Sequence, residues 1–313
     1  MPKQFDVVVL TAPDYLTPKK DSVLTANVIL EDQLVLDALA ELGLRVSRVS
    51  WDSQDFDWAS TQFALIRSTW DYIHRVDEFS SWLKKASKQT KFINPISLID
   101  WNMDKIYLKE LNASGIHIPK TLFIPKGSQW TLHQAWENAK RELGFNSNTL
   151  VLKPCISGGA RHTYKFDVDQ LSQYEVIFAE LISNEALMLQ EFQQNIVDRG
   201  EISMMLFNGE FTHAVLKIAK AGDFRVQDDY GGSVHEYKPN ANEIAFAEAT
   251  VKATPQVPMY ARVDIFKDNE NKIALAELEI FEPELWFRLQ PNAAKVLAKH
   301  IKEQLFKNSS FKE

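Results

Sequence analysis

The sequence predicts a mixed α/β protein, with a small doubly wound parallel domain first and a helix-then-strand-rich region after it. Three observations carry this. Over the first hundred residues, short β-branched or aliphatic runs alternate with helical spacing, the grammar of β-α-β units. From Thr149 onward strand-like runs follow one another through turns such as Asn208-Gly209, as antiparallel hairpins require. The chain has 313 residues, 45% of them hydrophobic, roughly two ordinary domains' worth with cores to match.

Asp6–Leu10 (DVVVL) has the texture of a buried parallel strand. Asn27 to Leu42 places Ile29, Leu30, Leu34, Leu36, Leu39 and Leu42 at helical spacing, and Gly43 ends the helix. Leu44–Ser50 reads as the second strand and Phe63–Arg67 as the third. Ser68-Thr69-Trp70-Asp71-Tyr72 then lies beyond a strand's carboxyl end, where open α/β sheets bind ligands. Asn94-Pro95 marks a change of composition, and Asp104–Ser114 reads as a helix. Pro119 and Pro125 bracket a short strand, and Trp130–Leu143 is helical. The later strands are TLVLK, ALMLQEF, EISMMLF, EFTHAVLK, MYARVDIF and IALAELEI, and an amphipathic helix runs from Pro291 to Phe306.

Composition narrows the function. Lys+Arg number 35 against 42 Asp+Glu, a net charge of −7, so a surface that neutralises many phosphates of a nucleic acid is not expected. The single cysteine, Cys155, allows neither an internal disulfide nor a thiolate zinc cage, and reads as a buried free thiol. Apolar runs are too short to span a bilayer, and the start Met1-Pro2-Lys3-Gln4-Phe5 lacks the pattern of a signal peptide. The expectation is a cytoplasmic protein without membrane partners.

The stretch Met259 to Glu284 is the most informative. Tyr260–Phe266 and Ile273–Ile280 are two strand-like runs joined by the polar linker 267–272. A turn near its middle sets Asp264 opposite or near Glu277. Side chains two apart share a strand face, so Glu277 and Glu279 project together with Leu278 turned to the core, and Arg262 shares the face of Asp264. Carboxylates so close need compensation, and one or two Mg²⁺ ions, which take oxygen ligands, would supply it. Alternating Glu is equally the mark of a solvated sheet face.

Phosphate-facing groups are less distinctive. Lys153 ends an apolar run, at a sheet rim or against an anion. Ser157-Gly158-Gly159-Ala160-Arg161-His162 is a small-residue loop whose amides can approach phosphate, though such a Gly pair is more often an ordinary turn. Gln190-Glu191-Phe192 ends another strand where backbone could meet a base edge; an edge strand with polar ends reads the same way. His213 is left without a role. No Walker A motif and no Ser/His/Asp or Cys/His constellation occurs.

In chain order, Lys105, Lys153, a Gly-rich loop, Gln190-Glu191-Phe192, Glu201, Lys217, Arg262-x-Asp264 and Glu277-x-Glu279 resemble the ATP-grasp superfamily. The nearest branch holds prokaryotic glutathione synthetase and the cycloserine-forming ligase. Arg67–Tyr72, the Trp101–Leu108 stretch, Gly222–Gln227 and Glu282-Pro283 resemble the latter. The resemblance implies a pre-grasp domain over 1–100, a linker helix and lid subdomain over 101–189, and a magnesium-bearing C-terminal subdomain over 190–313, the last two clasping ATP. Lys105, Lys153 and Lys217 would hold phosphates, with Ser157, Gly158 and Gly159 above them. Gln190, Glu191 and Phe192 would border adenine, and Glu201 would bind ribose. Asp264, Glu277 and Glu279 would carry one or two Mg²⁺ (or Mn²⁺), with Arg262 and Arg225 near the transferred phosphoryl group. Many relatives have Asn where Glu279 stands. Arg67, Ser68, Trp70, Tyr72 and Glu282 would border the substrates, a small-molecule carboxylate and an amine. The implied activity is ADP-forming carboxylate–amine ligation by an enzyme that is commonly a homodimer. A small-molecule kinase and a non-catalytic nucleotide binder are the alternatives.

Overall fold

The computed structural model describes residues 3–18, 22–226 and 231–307. Met1, Pro2 and Gln227, which the sequence reading used, lie outside the described residues.

The first unit is a parallel sheet of β1 (Phe5–Thr11), β2 (Val46–Ser50), β3 (Thr61–Ser68) and β4 (Lys91–Ile93), in the order β2-β1-β3-β4. Helices α1 (Pro13–Leu16), α2 (Val23–Glu41) and α3 (Val76–Ala86) connect the strands. Helix α2 begins four residues before the expected start because Ser22 caps it, its Oγ accepting the Thr25 N–H at 3.0 Å. Val7–Leu10 are fully buried, as a strand covered on both faces requires. Beneath one face, Trp51 meets Phe79 and Trp82 edge to face, and these two rings are tilted against each other.

Helices α4 (Ile96–Met103) and α5 (Tyr107–Ala113) lead out of this unit. The expected helix over 104–114 is shorter at its start, because the Asp104 carboxylate turns back to accept the Ile106 N–H at 3.0 Å.

The second sheet is antiparallel, β5 (Thr121–Ile124), β6 (Thr149–Pro154), β7 (Tyr164–Asp167) and β8 (Leu187–Glu191), in the order β5-β8-β6-β7. Helices α6 (Leu132–Leu143) and α7 (Leu171–Asn184) cover one face. The boundary expected at residues 189/190 therefore falls inside β8, whose hydrogen bonds run to β5 and β6.

After α8 (Gln194–Arg199) comes the third sheet: β9 (Glu201–Phe207), β10 (Glu210–Ile218), β11 (Ser233–Tyr237), β12 (Tyr260–Lys267) and β13 (Ile273–Glu279), in the order β11-β10-β9-β12-β13. Helix α9 (Ala241–Lys252) packs on it, and α10 (Asn292–Lys307) returns to lie on α2. The Asn208-Gly209 turn has both residues at positive φ (51° and 85°), the geometry of a two-residue hairpin with Phe207 paired to Glu210.

The segment following β13 straps the third sheet to the first. The Glu31 carboxylate of α2 accepts the N–H groups of Phe287 and Arg288, each at 2.8 Å, and Phe287 joins Val7 and Val9 in one core. The Tyr260 hydroxyl lies 2.8 to 3.0 Å from the carbonyls of Ile66, Ile93 and Phe281. Each fully buried aliphatic side chain along this seam contributes about 1.5–3 kcal/mol. No helix among the described residues is long and apolar enough to cross a membrane.

Candidate active site

The second and third sheets enclose a cavity of about 660 Å³, closed at one end by Trp70 and Tyr72 from beyond β3. Its volume falls within the range of small-ligand pockets, about 300–1,000 Å³. The sheets divide the chemistry: the second supplies Lys153 and the loop after it, and the third supplies the acidic groups.

Register puts the carboxylates together. In the β12–β13 hairpin Asp264 is paired with Glu277 and Arg262 with Glu279, with an irregularity between Asp264 and Ile265. Alternation then turns Glu277 and Glu279 into the cavity and buries Leu278. Asp264, Glu277 and Glu279 each offer an oxygen within 4.8 Å of the others. Arg262 clamps two of them, at 2.9 Å from Asp264 and 2.5 Å from Glu279. Lys217 lies 3.2 Å from Asp264 and 2.5 Å from Glu201, and the Ser203 hydroxyl donates to Asp264 at 2.6 Å.

These contacts pull the acids apart electrostatically. Burial opposes the charge of Asp264, but Arg262 and Lys217 outweigh it and hold the carboxyl down at about 2. Glu277 sits below the ordinary glutamate value because Lys105, 2.9 Å away, overcomes its burial. Glu279 is pushed up to about 7: burial raises it, and Glu277 and Asp264 add repulsion that Arg262 does not offset. Burial and the neighbouring charge of Glu279 also raise Glu282. The three carboxylates present an all-oxygen donor set, the chemistry that suits a hard divalent cation.

The cations lining the cavity differ. Burial works against the charge of Lys105, yet Glu277, Glu279 and Glu282 lift it above the normal lysine range, and its ammonium also donates to the Ser157 carbonyl at 2.5 Å. Lys153 makes no ion pair among the described residues, and burial lowers its pKa. Loop 157–162 is pinned by the Ser157 hydroxyl on the Arg161 carbonyl (2.9 Å) and by Arg161 on Glu185 (3.0 Å), with Gly158 and Gly159 at the cavity wall.

One end is an apolar slot of Pro119, Val151, Phe192, Phe224 and Phe266. Phe192 meets Phe224 edge to face at 6.0 Å, and the Lys165 ammonium lies 3.7 Å from the Phe192 ring centre. Gln190 and Glu191 line the slot with side chains already engaged: Gln190 donates to Thr121 at 2.7 Å, and Glu191 accepts the N–H groups of Asn146 and Ser147. Glu201 reaches Lys217 because Gly200, at φ +83°, lets the chain pass close; a Cβ there would stand 2.5 Å from the Lys217 carbonyl.

The expected substrate residues divide. Trp70, Tyr72 and Glu282 line the cavity. Arg67 and Ser68 do not. Arg67, 3% exposed, donates to the Pro283 carbonyl at 2.8 Å and lies 3.9 Å from Asp32, while Ser68 donates to Asp32 at 2.9 Å. Both brace the wall from behind, since Trp70 also donates to the Glu282 carbonyl at 2.8 Å. Arg225 lines the cavity with its guanidinium 2.7 Å from Asp223. Sequence reasoning missed Ser203 and Trp286. Trp286, in the left-handed region at φ 47°, sets its ring 5.4 Å from Arg262 and 5.9 Å from Lys217. Ser203 faces Asp264 from the neighbouring strand β9, a partner 61 positions away that carries no sequence signal.

Two α+β units facing one another across a basic and an acidic wall, beside a parallel β-α-β unit, define the ATP-grasp fold, and this chain has it. Residues 4–94 match the family model described as D-cycloserine synthetase DcsG, N-terminal domain. The chain is 24% identical over 287 residues to the cycloserine biosynthesis protein DcsG of Streptomyces lavendulae, covering 87% of this chain and 92% of that protein. The crystal structure of D-cycloserine synthetase DcsG superposes with a TM-score of 0.83 at 21% identity, over 96% of this chain and 99% of that one. The ATP-grasp ligase PsnB with a minimal precursor follows at 0.64, with 15% identity and 96% and 99% coverage. D-alanine–D-alanine ligase of Bacillus anthracis gives 0.62, with 16% identity and 99% and 100% coverage. The superfamily resemblance read from the sequence is borne out in the fold.

Proposed function

We propose that this protein is a magnesium-dependent, ADP-forming ligase that activates a small-molecule carboxylate as an acyl phosphate for attack by an amine-type nucleophile. The observation that carries it is the convergence of Asp264, Glu277 and Glu279 within 4.8 Å in a cavity that Lys105 and Lys153 also line. The likeness to the cycloserine and D-alanine ligases supports the reaction class.

In this reading the base lies in the Phe192–Phe224 slot, Glu201 takes the ribose, and Lys105, Lys153 and the amides of Gly158 and Gly159 hold the phosphates. Asp264, Glu277 and Glu279 would hold one or two Mg²⁺, and the ion neutralises charge on the phosphates when bound. Mn²⁺ would substitute. The substrates occupy the end lined by Trp70, Tyr72 and Glu282. A carboxylate oxygen attacks the γ-phosphorus and the bond to the β–γ bridging oxygen breaks, releasing ADP. The nucleophile's nitrogen then attacks the acyl carbon, phosphate leaves with the C–O electron pair, and the nitrogen loses a proton. Arg262 and Arg225 stand where charge collects on the transferred group, and the enclosing walls exclude water that would hydrolyse the intermediate.

The test is an ADP-release screen of small carboxylates with hydroxylamine as acceptor, run with Glu277→Gln alongside. Hydroxamate together with ADP from the wild type, absent in the folded variant, supports the reading. A stable phosphorylated product instead would mark a kinase, and undiminished turnover in the variant would remove Glu277 from the site.

A further inference from the structure

β13 is the edge strand of its sheet, so the backbone groups it turns away from β12 have no strand to bond. Side chains from the connection after the first unit take that place. The Tyr107 hydroxyl accepts the Leu278 N–H at 2.9 Å. The Asn102 carboxamide donates to the Leu278 carbonyl at 2.8 Å and accepts the Ile280 N–H at 3.0 Å. The Asn94 carboxamide donates to the Ile280 carbonyl at 2.6 Å. A single side-chain amide thus bonds a C=O and the N–H two residues on, as a residue of a parallel neighbouring strand would. Asn102 and Tyr107 are 5% and 2% exposed, so neither group can exchange its strand partner for bulk water.

The strand so held carries Glu277 and Glu279 on either side of Leu278. Its pairing to β12 is already interrupted next to Asp264, so the hairpin alone specifies the placement of these carboxylates weakly. A ligand cage tolerates only about 0.5 Å of misplacement. Between the two gripping residues, Lys105 contacts Glu277 directly at 2.9 Å, which puts side-chain and backbone restraint of β13 on one six-residue segment.

We propose that Asn102 and Tyr107 are positioning residues for the acidic trio: they complete the free edge of β13 and so set the spacing of Glu277 and Glu279 relative to Asp264. The inference rests on the reading of that trio as the magnesium site for a nucleotide.

Tyr107→Phe removes one hydroxyl and leaves the ring that fills the core; Asn102→Asp keeps the shape and the acceptor and removes the donor to Leu278. Thr250→Val serves as the stability control, since it deletes the buried bond from Thr250 to the Phe246 carbonyl (2.9 Å) within α9. Full-length proteins are titrated calorimetrically with ADP, first without metal and then over a series of MgCl₂ concentrations, and melted without ligand. Both variants should raise the MgCl₂ midpoint for ADP binding at least fivefold with metal-free ADP affinity changed less than twofold, while Thr250→Val lowers the melting temperature without moving the midpoint. A midpoint unmoved in both variants, or moved no further than in the control, overturns the positioning role. Failure of wild-type ADP binding to respond to MgCl₂ is a different result: it rejects the magnesium reading itself.

Discussion

Acid should weaken this fold through one histidine. His213 on β10 is 7% exposed, with its Nε2 2.8 Å from the Leu285 carbonyl and its Nδ1 3.1 Å from the Thr212 hydroxyl. A carbonyl accepts only from an N–H, so the neutral ring carries its proton on Nε2. Phe207 and Phe287 lie about its ring, and burial pushes its pKa down from 6.5 to about 4, more than the Leu285 carbonyl restores. The unfolded chain therefore takes up a proton near pH 6.5 while the native protein refuses it until about pH 4. Stability from this group is intact above pH 6.5 and drains away as pH falls through that window. Between pH 7.5 and pH 5 the loss is about 2 kcal/mol, and about 3 kcal/mol when titration is complete. His213→Gln keeps a donor for Leu285 without a titrating ring. Urea unfolding followed by tryptophan fluorescence at the two pH values measures the effect. The wild type should lose about 2 kcal/mol more than the variant. Equal losses in the two proteins would refute the assignment.

Further outcomes follow from the same structure. Lys153→Met should raise the melting temperature by removing a half-buried charge with no ion-pair partner among the described residues, yet weaken ADP binding at least tenfold; tighter or unchanged ADP binding by calorimetry would contradict its phosphate role. Burial pushes the Cys155 thiol up to about 12, so the native protein should resist iodoacetamide at pH 8 and label fully in urea, as mass spectrometry would read. Labelling of the native protein at the urea rate would place the thiol at the surface instead.

Much of the candidate site's geometry was legible because strands obey counting rules. The Asp264–Glu277 pairing follows from the positions of two apolar runs and a turn, and alternation fixes which side Glu279 takes. The parallel first sheet was readable for a similar reason: a continuous β-branched run such as Val7–Val9 survives only when both faces are covered. What the sequence concealed depends on partners far away in the chain. Arg67 looks like a ligand residue at a strand's end until Asp32 and the Pro283 carbonyl claim it. Glu191 looks available until the amides of Asn146 and Ser147 fold onto it. The role of Trp286 needs Arg262 and Lys217 brought over its ring by two different strands. The edge ladder on β13 is hidden most deeply, since Asn102 and Leu278 are 176 positions apart.

The acidic hairpin should hold a divalent cation against a nucleotide's phosphates. Calorimetry of ATP binding to the wild type and to the Glu277→Gln/Glu279→Gln double variant, each with and without MgCl₂, tests it most directly. Magnesium should tighten ATP binding in the wild type, and the double variant should lose this enhancement while keeping its metal-free affinity. Equal tightening by magnesium in both proteins would contradict it.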